Sequence, residues 1–522
     1  MGLRGAVSEA DVNRALLKGN GQSQGQNSQD APAQYDPMST GAIPDAADAD
    51  LFSLPANVDD PFADEALPAG TYRPLTARQR LQAQRAAAEN LPQPPKADPT
   101  TEVDDEDVNG PALRAATVDT QENPEIDQRT QRVRAIEGLR RTDDEHPFEA
   151  VGIRIGSFVL RSSLEQGLTA TSNASLSHGG SSAVLSETAV RFNAVSDWRS
   201  NSAAINMYGN LRRTLSGEVV KDSQIGIDGR LDVDLGNDFS GHGAIGYLRG
   251  PETASSAVVV NGTAYQPIQQ TVTGSLGLQK GVGKARFGVA GRVERDMFDD
   301  ADLSSGDALS QKDRDSTLAA LALRGGYEIS PALTPFVEVE VGRRFYTNKV
   351  DQSGYERSSN LFGSRAGVAI DLGEKLSGEF SAGWLRESFD DSRLSPVPTP
   401  SIAAALAWSP ERGTIVNLAG TTTIEDTTTV GESGSVLYAA TLSAERLVRA
   451  NLTANTALGV GYRNYSNAGG HDVLFSAEAG ATWWLNRYAG LTGRLRHESQ
   501  KSSLPDRDYD ANSVFVGLTL QR

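Results

Sequence analysis

The 522-residue chain contains no cysteine. Disulfide scaffolds, Cys-ligated zinc, iron–sulfur clusters and thiol catalysis are therefore excluded. Aromatic residues make up only 6% of the chain and hydrophobic residues 38%, and long apolar runs are missing: the longest is Ile402 to Trp408. A membrane-spanning helix needs roughly 18 or more consecutive apolar residues, so a helical membrane protein is excluded. Positive charge is in deficit, 49 Lys and Arg against 67 Asp and Glu, for a net charge of -18. A protein held to nucleic acid by phosphate contacts has the opposite balance, and no nucleic-acid partner is expected. Histidine is scarce too: His146, His178, His242, His471 and His497 form no metal-binding pair at helical spacing. No enzymatic activity, cofactor or metal is expected.

What is present is unevenly distributed. Residues 1–150 carry 27 acidic and 14 basic side chains, a net of -13, and hold 14 of the 23 prolines but only five aromatics. Residues 151–522 carry 40 acidic and 35 basic side chains, a net of -5. So few large apolar groups cannot offset the roughly 1 to 2 kcal/mol per residue of backbone entropy lost on folding. Residues 1–150 read as a disordered, acidic, Pro-rich arm. Short helices are expected at 76–91 and 127–141, which are rich in good helix formers, with Val133, Ile136 and Leu139 on roughly one face. The first residues, MGLRGAVSEADVNRALLKGNGQ, contain no apolar core of a secretory signal, so either the signal lies upstream of Met1 or the protein is not exported.

After Gly156 the apolar period becomes two, the period of a half-wet strand. In Asp222 to Leu235, Ile225, Ile227, Leu231 and Val233 share one face, and Asp228, Arg230, Asp232 and Asp234 share the other. Val337, Val339 and Val341 likewise oppose Glu338 and Glu340. Eighteen such segments can be read between residue 157 and the C-terminus. Eight short Gly-, Pro-, Asn- and Asp-rich links alternate with nine longer polar ones, among them 214–221, 249–269, 296–315, 387–400, 425–434, 464–471 and 499–511. Gly281-Val282-Gly283-Lys284 reads as a hairpin turn, since neither a Ser or Thr nor a helix follows the Lys. Sixteen strands result if Ile402 to Trp408 and Val436 to Leu442 are loops or pair poorly.

The pattern predicts an all-β fold: a transmembrane up-and-down antiparallel barrel of about 18 strands over residues 151–522. Closure satisfies every backbone donor and acceptor inside lipid, which an open sheet cannot do. Trp198, Trp408 and Trp483 end strands beside short turns with the parity of the apolar face, and Trp384 lies at the opposite end. Indoles favour the membrane–water boundary, so these four are the expected girdle. The wet face would line a lumen through Arg191, Asp228, Arg230, Asp232, Arg286, Arg292, Glu294, Glu338, Glu340, Arg344, Arg365, Glu379, Glu387, Arg494 and Arg496. Mixed signs suit a general hydrophilic pore more than a strongly ion-selective one.

The junction Asp143 to Ala174 (DDEHPFEAVGIRIGSFVLRSSLEQGLTATSNA) carries Gly152, Arg154, Gly156, Ser157, Phe158, Glu165, Gly167, Ser172 and Asn173. With Ser196-Asp197-Trp198-Arg199 and the closing Val516 to Arg522, it resembles the putative β-barrel porin 2 family of alphaproteobacterial outer-membrane proteins. The final Arg522 departs from the aromatic terminus common among outer-membrane proteins. The resemblance implies a porin-like barrel in the outer membrane of a Gram-negative cell, with the arm in the periplasm. Its partners would be outer-membrane lipid and lipopolysaccharide, and its expected activity passive diffusion of small hydrophilic solutes. Two other roles fit the sequence: an envelope anchor whose arm engages peptidoglycan, and a barrel for surface polysaccharide export.

Overall fold

A computed structural model describes residues 147–522, apart from 199, 253–254, 259–265, 304 and 468. The expected arm, with its helices at 76–91 and 127–141, lies outside the described residues. The barrel strands are β1 (Phe158–Thr171), β2 (Ala183–Ser196), β3 (Ser202–Gly217), β4 (Lys221–Gly236), β5 (Phe239–Pro251), β6 (Ile268–Val282), β7 (Ala285–Phe298), β8 (Ser316–Tyr327) and β9 (Leu333–Tyr346). They continue as β10 (Ser359–Asp371), β11 (Leu376–Phe389), β12 (Val397–Trp408), β13 (Thr414–Glu425), β14 (Ser435–Arg449), β15 (Leu452–Tyr465), β16 (His471–Asn486), β17 (Ala489–Ser502) and β18 (Tyr509–Gln521). Each pairs antiparallel with its chain neighbours, and β18 returns to β1 with Glu165 opposite Thr519 and Thr169 opposite Phe515. The result is a closed antiparallel barrel of 18 strands. An even strand number places both ends of the meander, Phe158 and Gln521, at the end that carries the short turns.

Burial inverts the order of a water-soluble core. Leu164, Leu168, Val514, Val516 and Leu518 are exposed on the outward parity of the closing pair, while Glu165, Thr169 and Thr519 are buried on the inward one. The same inversion recurs on β9, where Val337, Val339 and Val341 are exposed and Glu338, Glu340 and Arg344 are buried. An apolar exterior around a polar interior is stable only where the exterior meets hydrocarbon.

Local chemistry explains the short turns. Asn237 and Asp238 both take positive φ, 52° and 59°, between the paired Gly236 and Phe239. That is the two-residue primed turn whose twist matches its flanking strands, and Asn and Asp tolerate it better than other non-Gly residues. Gly283 and Lys284 form the β6–β7 turn between the paired Val282 and Ala285. At the same end Trp198 donates to Ser157 Oγ at 2.9 Å and meets Phe158 edge-on, with ring centroids 5.6 Å apart.

Eight short links and nine long-end connections are present, but seven of the latter are shorter than the sequence pattern suggests, most of all 218–220, 252–267, 390–396 and 503–508. Backbone pairing continues past the lipid-facing band. Main-chain hydrogen bonds do not require apolar side chains, whereas the alternation reports only where one face touches lipid.

Candidate functional site: the charged lumen

The ladder registers put all fifteen charged residues singled out above on the inward parity, from Arg191 on β2 and Asp228, Arg230 and Asp232 on β4 to Arg494 and Arg496 on β17. Arg286, Arg292 and Glu294 lie on β7, Glu338, Glu340 and Arg344 on β9, Arg365 on β10, and Glu379 and Glu387 on β11. Trp198, Trp384, Trp408 and Trp483 are each exposed.

The inward charges join across intervening strands, and small residues permit this. Arg292 on β7 reaches Glu340 on β9 at 2.8 Å over β8, whose inward residues at that level are Ala320 and Ala322. Arg324 on β8 bonds Glu338 at 3.2 Å and Glu379 at 2.9 Å, and Arg365 shares Glu338. On the opposite wall Arg494 bonds Glu165 at 2.7 Å and Glu187 at 2.6 Å. Gly517 and Gly167 stand on the two strands between Arg494 and Glu187. The Arg494 guanidinium lies 4.2 Å over the Phe515 ring, and Thr169 donates to Glu187 at 2.7 Å. A third cluster joins Arg463 to Glu425 and Asp472, with Arg507 and Tyr465 also on Asp472.

Glu165, Glu187, Arg324, Glu425, Arg463 and Asp472 were not among the lumen-lining residues expected from the sequence, although Glu165 stands in the junction motif. Their parity was available: Arg324 lies two residues from Ala322 and opposite Glu338. Choosing them required the neighbouring strand's register, which no single segment contains.

At the long-loop end the segment 426–434 turns inward. Asp426 meets Arg344 of β9 at 2.9 Å. Arg357, in the β9–β10 connection, donates to the carbonyls of Thr427 at 2.7 Å, Thr429 at 2.9 Å and Glu432 at 3.0 Å, while its Nε meets Asp351 at 2.6 Å. Three strands, β10 to β12, separate these partners along the wall, so the segment spans that arc on the inner side. Glu252, at the start of the β5–β6 connection, pairs with Arg314 of the β7–β8 connection. Arg507 reaches the Ser256 carbonyl at 3.2 Å, so connections from separate sectors meet over the mouth.

Beneath them lies a cavity of about 290 Å³, lined by Arg292, Glu294, Glu340, Arg344, Arg365 and Glu387 and by Leu318, Leu361, Leu385 and Leu437. Asp426 keeps a quarter of its side-chain surface open, facing this cavity. Its recessed position pushes its carboxyl up to about 7; Arg344 opposes that shift, and Glu387 and Glu294 reinforce it. Among the described residues no group of three or more His, Asp or Glu side chains is arranged to hold a metal ion. His497 faces outward and contacts Asn512 Oδ1 at 3.0 Å.

The family described as putative beta-barrel porin 2 matches residues 146–522. No match is found among curated protein sequences. Similar solved structures include a ferric enterobactin receptor mutant from Pseudomonas aeruginosa, 9% identical over 70% of this chain and 80% of that one, with a TM-score of 0.32. The copper transporter OprC is 8% identical over 71% and 81%, with a TM-score of 0.37. A bacterial polysaccharide outer membrane secretin is 12% identical over 69% and 98%, with a TM-score of 0.28. Likeness at this level carries no inference about what the barrel handles.

Proposed function

The chain belongs to the putative beta-barrel porin 2 family, and from that premise we propose that it is a gated outer-membrane channel for the passive diffusion of small hydrophilic solutes. The observation that carries this reading is the polar, ion-paired lumen with its cavity of about 290 Å³ under the inward-turned segment 426–434. A lumen lined by charged side chains replaces part of a solute's hydration shell, and the loops over the mouth set the size limit. The long-loop end faces outward from the cell, and the short turns and the N-terminal arm face the periplasm. The barrel contacts outer-membrane lipid and lipopolysaccharide, the arm reaches peptidoglycan, and no catalytic step is involved.

Seven carboxyl groups and four guanidinium groups line the cavity. Excess negative charge in a low-dielectric constriction favours cations, so the channel passes small cations more readily than anions. Planar-bilayer recording of the folded full chain tests this. Single-channel steps with a cation-selective reversal potential in a KCl gradient are expected, and a folded barrel without steps overturns the channel reading. Replacing Arg357 and Asp426 together with Ala releases two ties of segment 426–434 and is expected to raise the conductance.

A further inference from the structure

One seam of the wall differs from the others. β12 pairs with β13 through only five residues, Ala404 to Trp408 against Gly420 to Val416, whereas β11–β12 and β13–β14 each pair through twelve. Above Ala404 the strands part. The Ile402 N–H donates to the Thr422 hydroxyl at 3.0 Å, and that hydroxyl donates to the Ile402 carbonyl at 3.3 Å, so one side chain occupies the place of the backbone ladder. Ile402 shows that even-numbered residues of β12 turn their N–H toward β13. The next two such positions are Pro398 and Pro400, which have no N–H to offer.

Beyond that point the two edges overlap. Val397, on the inward parity of β12, clusters with Ile424 and Val436, on the outward parity of β13 and β14, and Leu385 of β11 packs against this cluster while also lining the cavity. Thr399 and Tyr438 bond hydroxyl to hydroxyl at 2.6 Å across the lap. Side chains alone therefore close this part of the wall. Such a closure opens by rotamer changes and a small strand shift, without the loss of consecutive ladder bonds. The lap stands at the level of Trp384, which is opposite Pro400 and half exposed. An exposed indole at that height marks the membrane–water boundary. On the inside, the cavity reaches the seam through Ser401, Ala403 and Thr421 to Thr423. Its lining is amphipathic: Leu385, Leu437, Ala403 and Ala439 lie near the seam, while Arg292 and Glu340 lie deeper.

We propose that the β12–β13 seam is a lateral opening through which an amphiphile with one acyl chain and a small polar head passes between the outer leaflet and the lumenal cavity. The head would lie among the Arg292, Glu340 and Arg344 groups, and the chain along Leu385 and Leu437. A volume of about 290 Å³ equals about ten water volumes at ~30 Å³ each, which admits one short chain with its head, or part of a longer one, and is too small for several.

The experiment uses the full chain in lipid nanodiscs doped with a diazirine-bearing fatty acid, with adducts mapped after irradiation by mass spectrometry. Lumen-facing Leu385 and Leu437 are expected to carry adducts, alongside lipid-facing Leu458 and Val460 as the internal reference. Because the chain has no cysteine, Ile402→Cys with Thr422→Cys gives a single defined disulfide at the base of the seam. Its oxidised form is expected to lose the lumenal adducts, keep the reference adducts and recover on reduction. Pro398→Ala with Pro400→Ala, which restores two N–H donors, is expected to reduce the lumenal adducts without any cross-link. Lumenal adducts absent from the wild type, or unchanged in both variants, overturn the proposal. Bilayer conductance of the oxidised variant is read separately and is expected to match the wild type, so a failed channel reading and a failed lateral opening give different results.

Discussion

Replacing Arg494 with Met should destabilise the barrel strongly, and replacing its partners as well should restore most of the loss. Arg494 holds two carboxylates at once, Glu165 at 2.7 Å and Glu187 at 2.6 Å, and the three side chains are only 4%, 2% and 2% exposed. At that burial the discount that applies to surface ion pairs does not. Removing the cation leaves two carboxylates without their shared partner, which costs about 3 to 5 kcal/mol for a buried pair. Loss of the stacking on Phe515 adds up to ~2 kcal/mol. With a urea dependence of about 3 kcal/mol per molar, the unfolding midpoint should fall by on the order of 1 M. The assay is reversible urea unfolding in lipid vesicles, followed by tryptophan fluorescence and by gel mobility with and without heating. The triple variant Arg494→Met, Glu165→Gln, Glu187→Gln should return most of the way, because amides accept burial at far lower cost than unpaired carboxylates. A midpoint for Arg494→Met equal to that of the wild type would show that lumenal water screens these pairs, leaving the ~0 to 1 kcal/mol typical of exposed ones.

Three further outcomes are expected. Asp426 has its carboxyl raised to about 7 from an ordinary 3.8. A raised carboxyl stabilises the folded state most below its unfolded pKa and loses that contribution as pH rises through the folded one. The urea midpoint of the wild type relative to Asp426→Asn should therefore fall between about pH 4 and pH 8, and a constant difference would contradict the assignment. Brominated lipid should quench Trp483 but spare its neighbour Trp484 in single-tryptophan variants, because successive strand side chains face opposite sides; equal quenching would refute the orientation of β16. Gly517→Ala would set a Cβ 2.5 Å from the Phe515 ring and 2.7 Å from the Gln166 carbonyl, so a loss of about 1 to 3 kcal/mol is expected in the same unfolding assay. An unchanged midpoint would show that β18 shifts freely there.

Much of the barrel was legible in the chain because lipid contact is a local property. Whether Ile227 faces hydrocarbon while Asp228 faces the lumen depends on their own adjacency, and a period of two records it. The Asn237-Asp238 turn is equally local, set by the φ angles those residues tolerate. The extra pairing beyond 387 and 499 was not legible, because polar strand ends hydrogen-bond without leaving a pattern in side-chain polarity. The weak alternation of Ile402 to Trp408 and of Val436 to Leu442 misled, since both segments are paired strand. Ile402 to Trp408 pairs along its length with β11, Ala404 to Trp408 also with β13, and Val436 to Leu442 with both β13 and β15, so the sixteen-strand count is excluded and the gap lies above Ala404. There β12 joins β13 through five residues only. Pro398 and Pro400 mark the same place.

By itself, the sequence determined that residues from about 157 onward form an all-β barrel with an apolar outside and a charged inside, since each strand's two faces are written in alternate residues. Only the tertiary structure decided which charges meet. Arg494 finds Glu187 because β18 closes onto β1, and Asp426 finds Arg344 because segment 426–434 turns into the lumen. Those partners lie 307 residues apart in the first case. Their meeting depends on strand number, register and closure, which are properties of the whole sheet rather than of any segment.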